Sequence, residues 1–276
     1  MATIKKDINI SGKTLMSRQE SSVTLFPSQT TGIRFFLEGS QKPVLASPFN
    51  VVSTDNCIVL ANETAKIILV EHFMAACAFA GIDSLDVCLS CSEMPILDGS
   101  SLKWFELFTE AGIEEENFAE SIEIPEPVFY SDNKSVISVI PAEKFKITYC
   151  INFDHPDLKN RWISFDLSQD KNLILEARTF GCLKDLEKFQ KIGLALGVSI
   201  ENTVGLTENG YTTELRSEYE PLKHKILDLI GDLNLLSFNP LNLKAHIIAQ
   251  EAGHKSHVEL AKKISILMEK KSCLKS

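Results

Sequence analysis

The sequence predicts an α+β protein made of two similar α/β layered domains, with sheets packed over helices and the active site between the domains. Three observations predict it. The chain has 276 residues, which is long for one core and comfortable for two. Each half passes through short strands and then ends helix–strand–loop–helix, an order that suits sheet-and-helix layers. Between the halves lies EEENFAESIEIPE (114–126), a polar, like-charged stretch running into Pro125 and Pro127, which reads as a linker. The expected domains are therefore 1–118 and 119–276.

In the first half, SSVTLF (21–26), GIRFFLE (32–38) and NCIVLA (56–61) read as strands separated by Ser, Thr, Gln, Gly and Pro. A helix over roughly 64–80 stops at Gly81, a common helix terminator. A strand at 85–91, the loop EMPILDGSS and a helix from near Ser100 to about 111 complete the half.

In the second half, VISVIP (136–141), FKITYCINF (145–153) and WISFDL (162–167) read as strands, followed by a helix at about 170–178. The region 182–208 combines the amphipathic LKDLEKFQKIG with a Gly-containing apolar run. A long helix spans about 217–236, with Ser217 and Glu220 spaced as a capping box. A strand at 243–250 and a helix at about 256–270 follow, the latter with Ser256 and Glu259 at the same spacing.

Composition excludes several classes of function. A formal charge of −9 repels phosphate backbones, so nucleic acid is not an expected partner. MATIKKDINI lacks the apolar core of a signal peptide, and no apolar run nears the ~20 residues of a membrane span. Those readings lead to a cytoplasmic location. Seven scattered cysteines fit reduced thiols better than a disulfide framework. Cys88 and Cys91 form a C-x-x-C, but three residues apart on a strand they face opposite ways, so both read as structural. Oligomeric state is not readable.

Polar residues inside apolar helices carry the chemistry. His224, Asp228 and Asp232 recur at i, i+4, i+8 and form one stripe, bordered by Leu222, Ile226, Leu229, Ile230 and Leu233. Two imidazoles and a carboxylate are a common catalytic zinc set, and a His–Asp pair at i, i+4 can supply two of the three. On spacing alone, an exposed pair supporting the helix is the simpler reading. Glu71 and His72 sit in the apolar VEHFMAAC, where burial is costly without pairing or ligation. They diverge by about 100° around the helix, so both serve one site only if it lies between them. A hydrogen-bonded core histidine beside a solvated Glu71 is the alternative. His254, in a loop between strand and helix, is a candidate catalytic group. His257 reads as surface, His246 as structural, and His155 as a turn or supporting residue.

Taken together, VEHFMAACAFAGID (70–83), EMPILDGSS (93–101), FDHP (153–156), EARTFG (176–181), HKILDLIGDL (224–233) and AGH (252–254) resemble the UDP-3-O-acyl-N-acetylglucosamine deacetylases of bacterial lipid A synthesis. The motifs occur in family order and span nearly the whole chain. The resemblance implies Zn2+ as cofactor, held by His72, His224 and Asp228, and a UDP-linked acylated N-acetylglucosamine as substrate. It implies Glu71 as general base on the attacking water. His254 becomes the general acid or a cationic oxyanion stabiliser, oriented by Asp232, and Thr179 lends its hydroxyl to the oxyanion. Lys225 contacts the diphosphate, with Phe180 of the same EARTFG motif beside the substrate. The 182–208 insert forms an apolar passage for the acyl chain, with Leu186, Leu194, Leu196 and Ile200 as lining candidates. One local cation, Lys225, then holds an anionic substrate against the global charge.

The sequence departs from the family pattern at Gly12-Lys13-Thr14-Leu15-Met16, where Gly-x-Gly-Leu-His is usual. Ser84 replaces a usual Asn, and Pro221 a usual Phe in a first helical turn that tolerates proline. The altered turn leaves two alternatives open: a weakly active relative that binds acylated nucleotide sugar, or a zinc amidase on another acyl sugar.

Overall fold

The computed structural model describes residues 1–115 and 121–273; the expected boundary at 118/119 lies outside them. The first half contains β1 (Ala2–Ile4), β2 (Ile8–Lys13), β3 (Glu20–Pro27), β4 (Gly32–Leu37), β5 (Val44–Leu45), β6 (Val51–Ser53), β7 (Val59–Ala61), β8 (Lys66–Ile68), α1 (Glu71–Ala80), β9 (Ser84–Leu89), α2 (Leu102–Ala111) and β10 (Ile113–Glu115). The second contains β11 (Ile122–Glu123), β12 (Val128–Ser131), β13 (Val136–Pro141), β14 (Lys146–Ile151), β15 (Arg161–Asp166), α3 (Asn172–Leu175), β16 (Thr179–Cys182), α4 (Leu183–Lys191), β17 (Thr203–Leu206), α5 (Glu220–Leu233), β18 (Leu243–Gln250) and α6 (His254–Cys273).

The two main sheets share one plan. The first has strand order β2-β3-β9-β4-β5 and the second β12-β13-β18-β14-β15, with β11 beside β18. In each, the central strand (β9 or β18) follows the long helix (α1 or α5), pairs antiparallel on one side and parallel on the other. Each half also carries an insert before its long helix. The first is the antiparallel sheet β6-β7-β8; the second is the parallel pair β16-β17 with α4 between them. Alternating burial along β3 and β18 points one face of each sheet to a core and the other outward.

Among the described residues there are two large cores and a small cluster of Cys57, Leu69 and Ile96, and α1 and α5 form the layer between the large ones. Phe73, Met74, Ala76 and Cys77 of α1 belong to the first core, and Ala75 and Ala78 to the second. A helix buried all round must be apolar all round, which is why its two polar residues, Glu71 and His72, stand out. Asn234 Nδ2 donates to Met74 O at 2.9 Å and Asn239 Nδ2 to Ala78 O at 2.7 Å, binding the second half to α1. Gly231 lies against the Glu71 carbonyl, and a Cβ there would overlap it. Gly231→Ala is expected to cost about 1–3 kcal/mol by forcing the helices apart, seen as a Tm lowered by about 2–4 °C per kcal/mol. An unchanged Tm would show that the helices separate freely.

Several expectations need correction. The helix expected over 64–80 begins only at Glu71. Asn62 Oδ1 accepts from the Thr64 and Ala65 amides and closes a hairpin, so Lys66–Ile68 pairs with β7 as a strand. The helix expected at 170–178 is the short α3. β1 and β2 are additional strands: β1 is only three residues, all buried, too short to show a period, and β2 alternates over Ile8–Ser11. Neither capping box forms. Tyr219, in the left-handed region at φ 55°, precedes α5, Ser217 Oγ is buried without a partner, and Glu220 turns to Arg178 at 2.9 Å. α6 starts at His254, so Ser256 lies inside it and bonds back to Gly253. Among the described residues no helix is long and apolar enough to cross a membrane.

Candidate active site

Four segments converge: the start of α1 (Glu71, His72), the middle of α5 (His224, Lys225, Asp228, Asp232), the start of α6 (His254) and β16 (Thr179, Phe180). Each is aimed by its local backbone. Leu69, just before α1, and Glu251, just before the His254 loop, have φ of 66° and 49°, conformations that non-glycine residues hold only under surrounding constraint. Gly99, at φ 80° and without room for a Cβ against Asn202 O, offers its carbonyl to the Thr179 amide at 2.8 Å. That bond fixes the start of β16.

His72, His224 and Asp228 form a group whose ligand atoms all lie within 4.8 Å of one another, and all three are buried. Asp228 Oδ1 lies 3.2 Å from His224 Nε2 and 3.9 Å from His72 Nε2. That oxygen and His72 Nδ1 are buried with no hydrogen-bond partner. His224 Nδ1 donates to Ala177 O at 2.9 Å, which fixes the tautomer and turns the Nε2 lone pair inward. Burial, with His224 beside it, pushes His72 down to about 3, leaving the neutral imidazole a metal requires. Burial opposes ionisation of Asp228, but His224 and Lys225 hold its carboxyl well below the usual range. Two imidazoles and one carboxylate, with the carboxylate oxygen facing both rings buried and unsatisfied, fit a divalent metal ion.

Glu71 Oε1 faces His254 Nε2 at 3.9 Å, so the site does lie between the Glu71 and His72 directions. Glu71 Oε2 accepts from the Ile58 amide at 3.1 Å. Burial raises Glu71 to about 7. Burial disfavours a charged His254, yet Asp232 and Asp228 reverse that and raise it to about 9. A carboxyl near neutrality faces a histidine that holds its proton, the separation that acid–base chemistry uses. His254 Nδ1 donates to Asp232 Oδ2 at 2.7 Å. The second group with metal-like spacing, Asp232, His254 and His257, is a hydrogen-bond network: one carboxylate oxygen accepts from both rings. Cys88 and Cys91 belong to neither group.

A cavity of about 680 Å3 joins this cluster to the β16–α4–β17 insert, its wall including Glu71, His72, Thr179, Phe180, Lys225 and His254. Leu186, Leu194 and Ile200 line its apolar end, whereas Leu196 does not; Leu183, Phe189 and Val198, which the sequence does not single out, line it as well. Met16 lines it too. The altered turn is held by buried Glu93, which accepts from the Met16 amide at 2.6 Å and from Ser17 Oγ at 3.0 Å. Lys225 Nζ is bonded to Asp228 Oδ2 at 2.7 Å, so a substrate contact through Lys225 requires exchange of that pair.

Some supporting residues escape sequence reasoning. His257, which reads as surface, is fully buried, on the face of α6 that also carries buried Leu260, Ala261 and Ile264. Arg178, within the EARTFG motif, donates to both Glu220 oxygens at 2.9 and 3.1 Å and to Glu214 O at 2.7 Å. This clamp holds the Ala177 carbonyl that orients His224. Arg178→Met leaves the buried Glu220 charge without its guanidinium, held only by the 178 and 216 backbone amides, an expected loss of about 3–5 kcal/mol in denaturant unfolding. A loss below about 1 kcal/mol would mean the pair behaves like a surface ion pair. His155 is a buried supporting residue whose Nε2 lies 3.1 Å from Gly210 O, and His246 contacts Thr148 Oγ1 on the sheet; both match their expected structural parts.

A family model described as UDP-3-O-acyl N-acetylglycosamine deacetylase matches residues 1–266. The chain belongs to the UDP-3-O-acyl-N-acetylglucosamine deacetylase family. Relatives carrying that name include one from Leptospira biflexa, 36% identical over 94% of this chain and 88% of its own. Another, from Thermodesulfovibrio yellowstonii, is 34% identical over 95% and 90%. A third, from Trichormus variabilis, is 32% identical over 96% and 98%. The deacetylase family named from the sequence motifs is thus the one the whole chain matches, and it is a metalloenzyme family in which a buried His/Asp group such as His72, His224 and Asp228 has a ready use.

Proposed function

We propose that the protein hydrolyses the N-acetyl group of UDP-3-O-acyl-N-acetylglucosamine, releasing acetate, as a step of lipid A biosynthesis, with Zn2+ as cofactor. The observation that carries this reading is the convergence of a three-ligand metal group, a raised carboxyl and a proton-holding histidine at one end of a cavity whose other end is apolar. His72 Nε2, His224 Nε2 and Asp228 would hold the ion. When bound, zinc supplies a Lewis acid that polarises the amide carbonyl and acidifies water.

The chain's own residues divide the rest of the work. Glu71 accepts the proton of the attacking water, its acidity already near the operating pH. His254 carries a proton on Nε2 toward the leaving nitrogen, while Asp232 holds its Nδ1–H. The Thr179 hydroxyl stands at the cavity wall as an oxyanion donor. Phe180 flanks the substrate, and Lys225 meets the diphosphate by exchanging its bond to Asp228. The insert at 182–208 takes the acyl chain between Leu186, Leu194 and Ile200, an apolar wall that excludes water from the far end. The reading carries with it the cytoplasmic location expected from the sequence. It also keeps the domain division near 118/119.

Acetate release from UDP-3-O-(3-hydroxyacyl)-N-acetylglucosamine by the purified protein tests the reading. Turnover is expected, and KM is expected to rise when the O-acyl chain is removed. No release from folded, metal-loaded protein overturns the substrate assignment.

A further inference from the structure

Asp232 is fully buried, and only one of its oxygens has partners. Oδ2 accepts from His254 Nδ1 at 2.7 Å and from His257 Nδ1 at 2.8 Å. Both rings thus share one carboxylate oxygen. His257 is fully buried on the turn of α6 following His254, and its Nε2 lies 2.9 Å from the Tyr149 hydroxyl on β14. That hydroxyl also donates to Ala252 O at 2.7 Å, in the loop that carries His254.

We propose that His257 is a positioning residue for the reaction: by donating its Nδ1–H to Asp232 it fixes the carboxylate, and through it the tautomer and orientation of His254. The inference rests on the deacetylase reading above. Proton bookkeeping gives the hydrogen bonds their direction. An ionised Asp232 has no proton to donate, so both Nδ1 atoms, at 2.7 and 2.8 Å, must carry hydrogen. The other ring nitrogen of His257, Nε2, is held 2.9 Å from the Tyr149 hydroxyl. The phenolic hydrogen goes to Ala252 O at 2.7 Å, so Tyr149 links the sheet and His257 to the His254 loop. An apolar residue at 257 could fill the same space, but it would leave the second hydrogen bond to a buried carboxylate unmade.

Two variants separate this role from packing. His257→Asn keeps a side-chain N–H at the Nδ1 position, whereas His257→Leu keeps bulk without a donor. The Leu variant is expected to lose about 10- to 100-fold in kcat, the usual effect of removing such a supporting partner, with KM within about two-fold of wild type and metal content unchanged. The Asn variant is expected to recover to within about three-fold. In 15N NMR of the histidine rings, His254 is expected to show a protonated Nδ1 in wild type and Asn protein, and a changed Nδ1 signal in the Leu protein. Equal impairment of both variants, or no effect of Leu, overturns the proposal. If the Leu protein does not fold, the Asn protein decides: near-wild-type kcat and Nδ1 signal support the role, and loss of either overturns it. An inactive wild type would instead overturn the deacetylase reading, and the NMR comparison would still decide the part played by His257.

Discussion

His224→Ala is expected to yield a folded protein that no longer holds metal. Its Nε2 lies 3.2 Å from Asp228 Oδ1, and a site reduced to His72 and Asp228 retains too few donors for a catalytic ion. Acetate release should fall by at least about 10³-fold, equivalent to about 4 kcal/mol of lost transition-state stabilisation. Stability should drop by only about 1–3 kcal/mol, from the unpaired Ala177 carbonyl. Metal analysis of the purified variant checks it. One ion per chain retained in the His224→Ala protein would remove His224 from the ligand set.

Glu71→Ala has the opposite signature: metal stays and turnover collapses. Glu71 faces His254 Nε2 at 3.9 Å and lies in no ligand pair of the metal group. A general base contributes typically about 10²–10⁴-fold, so kcat should fall by that amount. The Ile58 amide would also lose its acceptor, so Glu71→Gln is the cleaner companion, retaining an oxygen that can accept from Ile58 without serving as a base. Both variants should be impaired alike with full metal content. Full activity in either would remove Glu71 as the base.

How much can be read from the sequence depends on whether the signal is local. The stripe His224, Asp228 and Asp232 on α5 is periodic and sits in an apolar border, but its spacing alone reads more simply as an exposed pair; only the resemblance of the surrounding motifs turns it into a candidate site. The two-sheet plan is visible as a repeated element order, because long apolar helices and alternating strands are strong local patterns. The hairpin β7–β8 reads partly as helix because the Asn62 turn that closes it acts through side-chain acceptors, which periodicity does not register. His257 reads as surface because polarity alone suggests it, although it stands at i, i+3, i+4, i+7 spacing with buried Leu260, Ala261 and Ile264 and so lies on the core face of α6. The Arg178–Glu220 clamp joins residues 42 positions apart and has no local signature. Leu196 and Met16 show the limit at the cavity: which apolar side chains line a passage depends on packing between distant segments, not on their hydrophobicity.

The central claim is that His72, His224 and Asp228 hold the ion on which amide hydrolysis depends. The most direct measurement removes metal from wild-type protein with a chelator, confirms that it remains folded, and titrates Zn2+ back while following acetate release. The expected result is abolished activity, restored in proportion to zinc and saturating at one ion per chain. Activity that survives complete metal removal, or that zinc cannot restore in folded protein, would contradict it.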